Sequence, residues 1–387
     1  MSIQETSAVS RPERPAGRSF LLDLLKAIGC ILIVLHHLAF YGPMSDVVAQ
    51  RWPATIDWLV DHGRLAVQFF LVCSGYLTAG IFARAPQMDV RRLARLAWRR
   101  YLRLAVPLLA ALGMTVLVTE WIRPDFDHAS LSAVPSWSQV LAHVFLLQHL
   151  MNMEALSAGV WYVAIDFQLY LLVLLVLWAV SLWQRWRPAS RTDALLTPAI
   201  LVLTVFSLLH WNLNSELDLL GLYFFGSYGL GWLAWRARQS RLPPKGWVIL
   251  LGLGLLALWV DPRWRIFTAW AVAMLLAVAP SAWLGPFKGH ARWQGAVSGL
   301  ARMSYSVFVI HFAVSLLVNA VVMHWWPQSL VWNAAGMLLA LGLSLLAGAQ
   351  LSRWTEQKSQ DGRHWLFWVG VFIASSALAM LRSSASA

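Results

Sequence analysis

The sequence predicts an all-α integral membrane protein, a polytopic bundle of about 10–11 transmembrane helices with a cytoplasmic N-terminus. Three observations carry this prediction. Hydrophobic residues make up 59% of the 387 positions and charged residues only 12%, against the roughly 45–50% and 25% usual for soluble domains. Apolar runs long enough to cross about 30 Å of hydrocarbon recur along the whole chain. The 30 Lys and Arg outnumber the 18 Asp and Glu, for a net +12, and they fall in alternate loops. This composition excludes a soluble globular enzyme, a disordered chain and a collagen-like fibre.

Taken in order, the predicted spans cover residues 20–41, 64–82, 101–119, 161–183, 195–211, 217–235, 246–260, 266–284, 303–323, 331–351 and 365–381. The seventh is the shortest. Residues 138–151 form a briefer apolar stretch with two histidines, His143 and His149, expected to lie at the interface or insert partway. The first span exceeds the ~15 apolar residues of a signal peptide and no small-residue cleavage site follows it. Residues 1–18 are expected to be a disordered cytoplasmic segment, 19–351 the transmembrane domain, and 352–387 a cytoplasmic loop, a last span and a short polar tail.

Alternate assignment of the loops places 23 of the 30 basic residues on the N-terminal side and six on the other, with Lys26 inside a span. Lys and Arg resist translocation, so the richer side is cytoplasmic. The same count removes nucleic acid as a partner, because the positive charge is a topological asymmetry and not a basic face. The lipid bilayer is the partner that the composition demands. Tryptophans fall at span ends (Trp52, Trp58, Trp98, Trp121, Trp183, Trp211, Trp235), as aromatic belts require. Cys30 and Cys73 lie within spans and read as packing residues.

Ionisable groups in hydrocarbon are costly and mark function. The first span carries Asp23, Lys26, His36 and His37. At 100° per residue, Lys26 and His37 differ by about 20° and are separated by about 16 Å of helical rise. Asp23 falls within about 40° of His37, while His36 points roughly 80° from Lys26. A carboxylate, an ammonium and an imidazole therefore share one stripe. The bland alternative is an interfacial Asp23–Lys26 pair with His37 as an interhelical donor. In the second span, Ser74-Gly75 reads first as a close-packing pair. Arg99, Arg100 and Arg103 stand at the mouth of the third span; a guanidinium as deep as Arg103 calls for an anionic partner, and a phosphate-rich cytoplasmic ligand fits. In the fourth span Asp166 and Tyr170 share a face, and Trp161 and Gln168 share another. The ninth carries Tyr305 and His311, the latter read mainly as a helix–helix hydrogen-bond donor.

These residues, in this order, resemble the acyltransferase-3 family of bacterial inner-membrane O-acyltransferases. The first-span pattern L-D-x-L-R-A with a histidine eleven residues after the arginine is similar to Leu22-Asp23-Leu24-Leu25-Lys26-Ala27 and His37. F-F-x-x-S-G-F resembles Phe69 through Tyr76, with one extra residue before Ser74 and Gly75. R-R-x-x-R-x-x-P looks like Arg99-Arg100 and Arg103 running to Pro107, with one extra residue. W-S-L-x-x-E-x-Q-F-Y is similar to Trp161 through Tyr170, and S-Y-S-x-Y-x-x-H to Ser304-Tyr305-Ser306 and His311. The likeness spans roughly residues 20–320. Lys26 replaces the usual arginine, Asp166 the glutamate, Tyr162 a serine, and Gln68 stands where aspartate is common.

The resemblance implies transfer of an acyl group, most often acetyl, from cytoplasmic acyl-CoA to a hydroxyl of a cell-envelope carbohydrate such as a polysaccharide, O-antigen or glycolipid. It implies no metal. It also points to work beside envelope polysaccharide-synthesis machinery in a bacterial inner membrane. Under it, His37 is base or nucleophile and Asp166 orients a base or the acceptor. Lys26, Arg99, Arg100 and Arg103 hold donor phosphates. Asp23, Ser74, Tyr76, Trp161, Tyr170, Tyr305 and His311 support substrate or structure. The competing class is a transporter or flippase of a lipid-linked sugar. It would show flux without an acyl donor, and the chain has neither an internal repeat nor paired Gly/Pro-broken segments.

Overall fold

In the computed structural model, residues 19–82, 85, 88–187, 190–239, 243–280 and 291–386 are described, and among them no strand occurs. The expectation for residues 1–18, and the last part of the 266–284 span from 281 on, lie outside the described residues. The predicted polytopic helical bundle is what the chain forms. Among the described residues, eight stretches are long and apolar enough to cross a membrane, and 246–260 and 264–278 are shorter apolar helices.

Helix α1 (Phe20–Phe40) starts where the Ser19 hydroxyl accepts from the Leu22 amide, a side-chain cap for an otherwise orphan donor. Two short helices follow between the first two predicted spans, α2 (Pro43–Ala49) and α3 (Pro53–His62). Both begin with proline, whose missing N–H and fixed φ suit the first helical position. The α2 end is pinned by the Met44 amide donating to Asn319 Oδ1 at 3.2 Å. Next come α4 (Ala66–Phe82) and α5 (Val90–Ile122). The latter begins eleven residues before the predicted span, because Asp89 caps it through the Arg92 amide. Its first turns bury Leu93 and expose Arg91, Arg92, Arg95 and Arg99, so the basic loop of the prediction is an amphipathic helical extension.

The 138–151 stretch is helical only as α6 (Trp137–Val144), opened by a Ser136/Gln139 capping box. It breaks at Leu146, which takes a left-handed φ of 59°, as does Asn152 at 50°. Past it run α7 (Val160–Trp186), α8 (Thr192–Leu209), α9 (Gly221–Gln239), α10 (Pro243–Val260) and α11 (Trp264–Val278). The last three are α12 (Ala291–Trp325), α13 (Leu330–Trp354) and α14 (Gly362–Ser386). Helix α13 runs through the 351/352 boundary of the prediction, and α14 continues through the polar tail to Ser386.

Packing follows side-chain size. Helix α12 lies between α1, α5 and α13, and α5 also packs on α14. On the other side α9 is enclosed by α4, α8 and α11; its Phe225 and Trp232 are wholly buried and Tyr228 nearly so. The α4–α9 crossing is so close that a Cβ at Gly75 would collide with the Tyr228 carbonyl oxygen, and one at Gly231 with the Val72 carbonyl. Small residues thus bring two backbones together and set Ser74, next to Gly75, within reach of Asp166 on α7.

Candidate functional site

The stripe read on α1 meets a partner on α12. His37 Nδ1 lies 2.7 Å from His311 Nε2, and His311 Nδ1 lies 2.7 Å from the Phe308 carbonyl oxygen. A carbonyl only accepts, so His311 carries its proton on Nδ1. With both rings neutral, His311 Nε2 is then an acceptor and His37 Nδ1 the donor. That leaves the lone pair of His37 on Nε2, away from the pair. The two rings are nearly coplanar, 5° apart, and their residues are 6% and 0% exposed. Burial and the fixed backbone carbonyl therefore select one tautomer and one orientation for His37, as a buried acceptor does in catalytic imidazole pairs. His36 turns the other way: its Nδ1 contacts the Leu59 carbonyl of α3 at 3.0 Å. The helical-face arithmetic separates the two histidines as the structure does.

A second polar centre forms where α4, α5 and α7 meet. Arg100 turns inward and its guanidinium donates to the Asp166 carboxylate, while lying 5.4 Å over the Tyr170 ring. Asp166 and Tyr170 share a face, as expected, and that face meets Arg100. The Ser74 hydroxyl donates to the other Asp166 oxygen at 3.3 Å, and the buried Tyr162 lies beside this centre. Nearby, Tyr228 donates to Thr78 at 2.7 Å. Charges this deep persist only when paired and hydrogen-bonded. Asp166 is occupied by Arg100 and Ser74, and Arg100 by Asp166; neither is brought to His37. The two centres are joined by apolar contact, Tyr162 packing edge-on against Phe308 at 5.5 Å.

The remaining predicted residues divide by helix face. Asp23 accepts from Ser298 of α12 at 2.7 Å, and Lys26 lies near Cys73 of α4. Arg99 and Arg103 are exposed, so the arginine run splits, with one member in the core and its neighbours outside. Tyr305 donates to the Leu104 carbonyl at 2.7 Å and ties α12 to α5. Trp161 packs on Phe224 at 5.6 Å, and Gln168 accepts from the Gly221 amide at 2.7 Å, so this second α7 face meets the start of α9. Tyr76 is buried on α4.

Three further groups stand outside the predicted site residues. The Phe308 carbonyl sets the His311 tautomer, and no side-chain pattern reports a backbone acceptor. Tyr162, present as a departure from a family motif, bridges the two centres. Glu356, in the link between α13 and α14, accepts from Ser306; burial pushes its carboxyl above the ordinary carboxylate value.

A family-wide sequence profile described as an acyltransferase domain, that of the acyltransferase-3 family, matches residues 21–349. No curated protein and no solved structure matches the chain.

Proposed function

The chain belongs to the acyltransferase-3 family, and from that premise we propose that this multi-pass membrane acyltransferase moves an acyl group, acetyl in the first instance, from cytoplasmic acyl-CoA to a hydroxyl of a cell-envelope carbohydrate. The setting we propose is a bacterial inner membrane. The observation that carries the mechanism is the His37–His311–Phe308 hydrogen-bond chain. It leaves His37 Nε2 as the basic atom and holds the ring in one orientation.

In the reaction so read, His37 Nε2 takes the proton of the acceptor hydroxyl as its oxygen attacks the thioester carbonyl. The C–S bond breaks, and the proton returns from His37 to the departing thiolate. The products are the ester and free CoA thiol. His311 shares the positive charge that forms on His37, the task of the third member of a catalytic triad, with less field because it is itself uncharged. The arginine-bearing turns of α5 give anionic donor phosphates a cytoplasmic approach. Arg100 pairs with Asp166 and Ser74 donates to the same carboxylate, which supports assigning these three residues to holding α4, α5 and α7 in register.

Two measurements test this reading. Membranes containing the protein, given acetyl-labelled acetyl-CoA, should make an alkali-labile ester on envelope glycans, and cells lacking the protein should lack that ester. Unchanged glycan esters in its absence, together with no transfer of label, would refute the assignment. Labelled acetyl left on His37 before acceptor is added would shift His37 from base to nucleophile.

A further inference from the structure

On the cytoplasmic side, a groove of about 450 Å³ runs between α5 and α14, lined by Trp98, Asp361, Gly362, Arg363, Trp365 and Leu366. We propose that this groove docks the adenine-nucleotide end of the acyl-CoA donor. The proposal rests on the reading of the protein as an acyl-CoA-dependent enzyme and names where that donor's far end sits. The α14 wall lies beyond the matched domain, which ends at residue 349, so this part of the site belongs to the chain's own C-terminal extension.

The aromatic corner is built and fixed. Trp98 and Trp365 meet at 71° with ring centroids 5.8 Å apart. Trp98 is stacked on Tyr101 at 5.3 Å and is 45% exposed, which leaves part of its ring surface open to a ligand. The Trp365 indole N–H donates to the Tyr101 hydroxyl at 3.1 Å, and that hydroxyl donates to the Val144 carbonyl at 2.5 Å. A tryptophan serving only as a membrane-belt anchor has no need of this chain; Leu366 and Phe367, 61% and 60% exposed, fill that outward role. A flat, pre-oriented indole suits a purine, which stacks on aromatic faces.

The charges complete the match. Arg95 and Arg99 flank Trp98 on α5, and Arg363 stands on α14; all three are exposed. Among the described residues, none of them is in an ion pair. Guanidiniums beside an indole form a site for phosphate beside a base. Asp361 caps α14 by accepting from the His364 amide at 2.9 Å, and its second oxygen can accept from an exocyclic amine, which adenine has.

Reach is satisfied as well. From Trp98 to Leu104 along α5 is about 9 Å of rise, and from Tyr305, which touches Leu104, to His311 along α12 is about another 9 Å. The two helices run the same way, as the Val118, Phe312 and Leu316 cluster nearer their far ends shows. The donor's chain of single and amide bonds between nucleotide and thioester extends on the order of 20 Å. A nucleotide in the groove thus puts a thioester at the depth of the imidazole pair.

The test uses the full chain in nanodiscs, adenosine 3′,5′-bisphosphate as calorimetric probe, and two donors, acetyl-CoA and acetyl-4′-phosphopantetheine, which lacks the nucleotide. The bisphosphate should bind wild type and compete with acetyl-CoA. Trp365→Ala should weaken that binding and raise the KM for acetyl-CoA by about tenfold, the scale of one base–aromatic stack. It should leave kcat and the kinetics with acetyl-4′-phosphopantetheine unchanged, and Trp365→Phe should restore most of the loss. Arg363→Ala should act in the same direction. Equal losses with both donors, an unchanged KM, or displacement by anionic phospholipid in place of the bisphosphate would overturn the proposal. If wild type transfers nothing from acetyl-CoA, the functional reading fails. The groove is then judged by the calorimetry alone, where undiminished binding to Trp365→Ala, or none to wild type, refutes it.

Discussion

His37 Nδ1 lies 2.7 Å from His311 Nε2, a contact between residues 274 positions apart that joins α1 to α12 in a buried interface. Because the far nitrogen of His311 faces the Phe308 carbonyl, the contact has a direction: His37 donates and His311 accepts. This gives His311 a measurable role. His311→Ala should lower kcat by about 10²- to 10⁴-fold, the range seen when acid–base machinery is disabled. His311→Gln, whose carbonyl oxygen can still accept from His37, should recover part of that loss in steady-state acetyl transfer.

The ion pair between Arg100 and Asp166 is predicted to matter for stability. Asp166→Asn leaves a buried guanidinium without its counter-charge and should cost about 3–5 kcal/mol. The double change Arg100→Met with Asp166→Leu should cost much less than the sum of the single changes. Thermal unfolding of detergent-solubilised protein, read by size-exclusion recovery, distinguishes these cases. Additive losses would mean that the pair is not coupled.

At the α4–α9 crossing, Gly75→Ala places a methyl against the Tyr228 carbonyl. Backbone, unlike a flexible side-chain tip, cannot yield cheaply, so the expected penalty is about 1–3 kcal/mol. Gly252→Ala is the control, since a Cβ there meets nothing within 4 Å. Equal thermal stability of the two variants would contradict the close crossing.

His143 predicts a pH dependence. It is buried on α6, where its Nε2 accepts from the Leu156 amide at 3.2 Å and its Nδ1 contacts the Gln139 carbonyl at 2.8 Å. Burial pushes it down from 6.5 to about 4. Between those values the unfolded chain binds the proton and the folded one does not, so stability rises with pH. The contribution should be complete above pH 6.5 and lost as pH falls toward 4. His143→Gln should flatten that slope in melts taken across the window; an unchanged slope would refute the assignment.

Much of this architecture is written in local patterns. Apolar runs locate most of the helices. The 100° step along α1 separates His36 from the His37 stripe, and the structure turns His36 to the Leu59 carbonyl. What His37 meets is not local: nothing near residue 37 names residue 311, and a carbonyl at Phe308 leaves no mark in a sequence. The arginine run shows the same limit. Arg99, Arg100 and Arg103 are alike as letters, and only the packing of α5 against α7 decides that Arg100 alone turns inward. Local signals for α2 and α3 were present in Pro43 and Pro53, but short polar helices lack the apolar length that marks a span. The basic stretch before residue 101 reads as a loop because charge masks its helical periodicity, which Leu93 and the Asp89 cap reveal.

Transfer of labelled acetyl from acetyl-CoA by membranes carrying wild type, His37→Ala or His36→Ala tests whether His37 is the base. With expression matched, transfer should fall to background for His37→Ala and stay close to wild type for His36→Ala. Wild-type transfer by His37→Ala, or equal loss in both variants, would contradict that role.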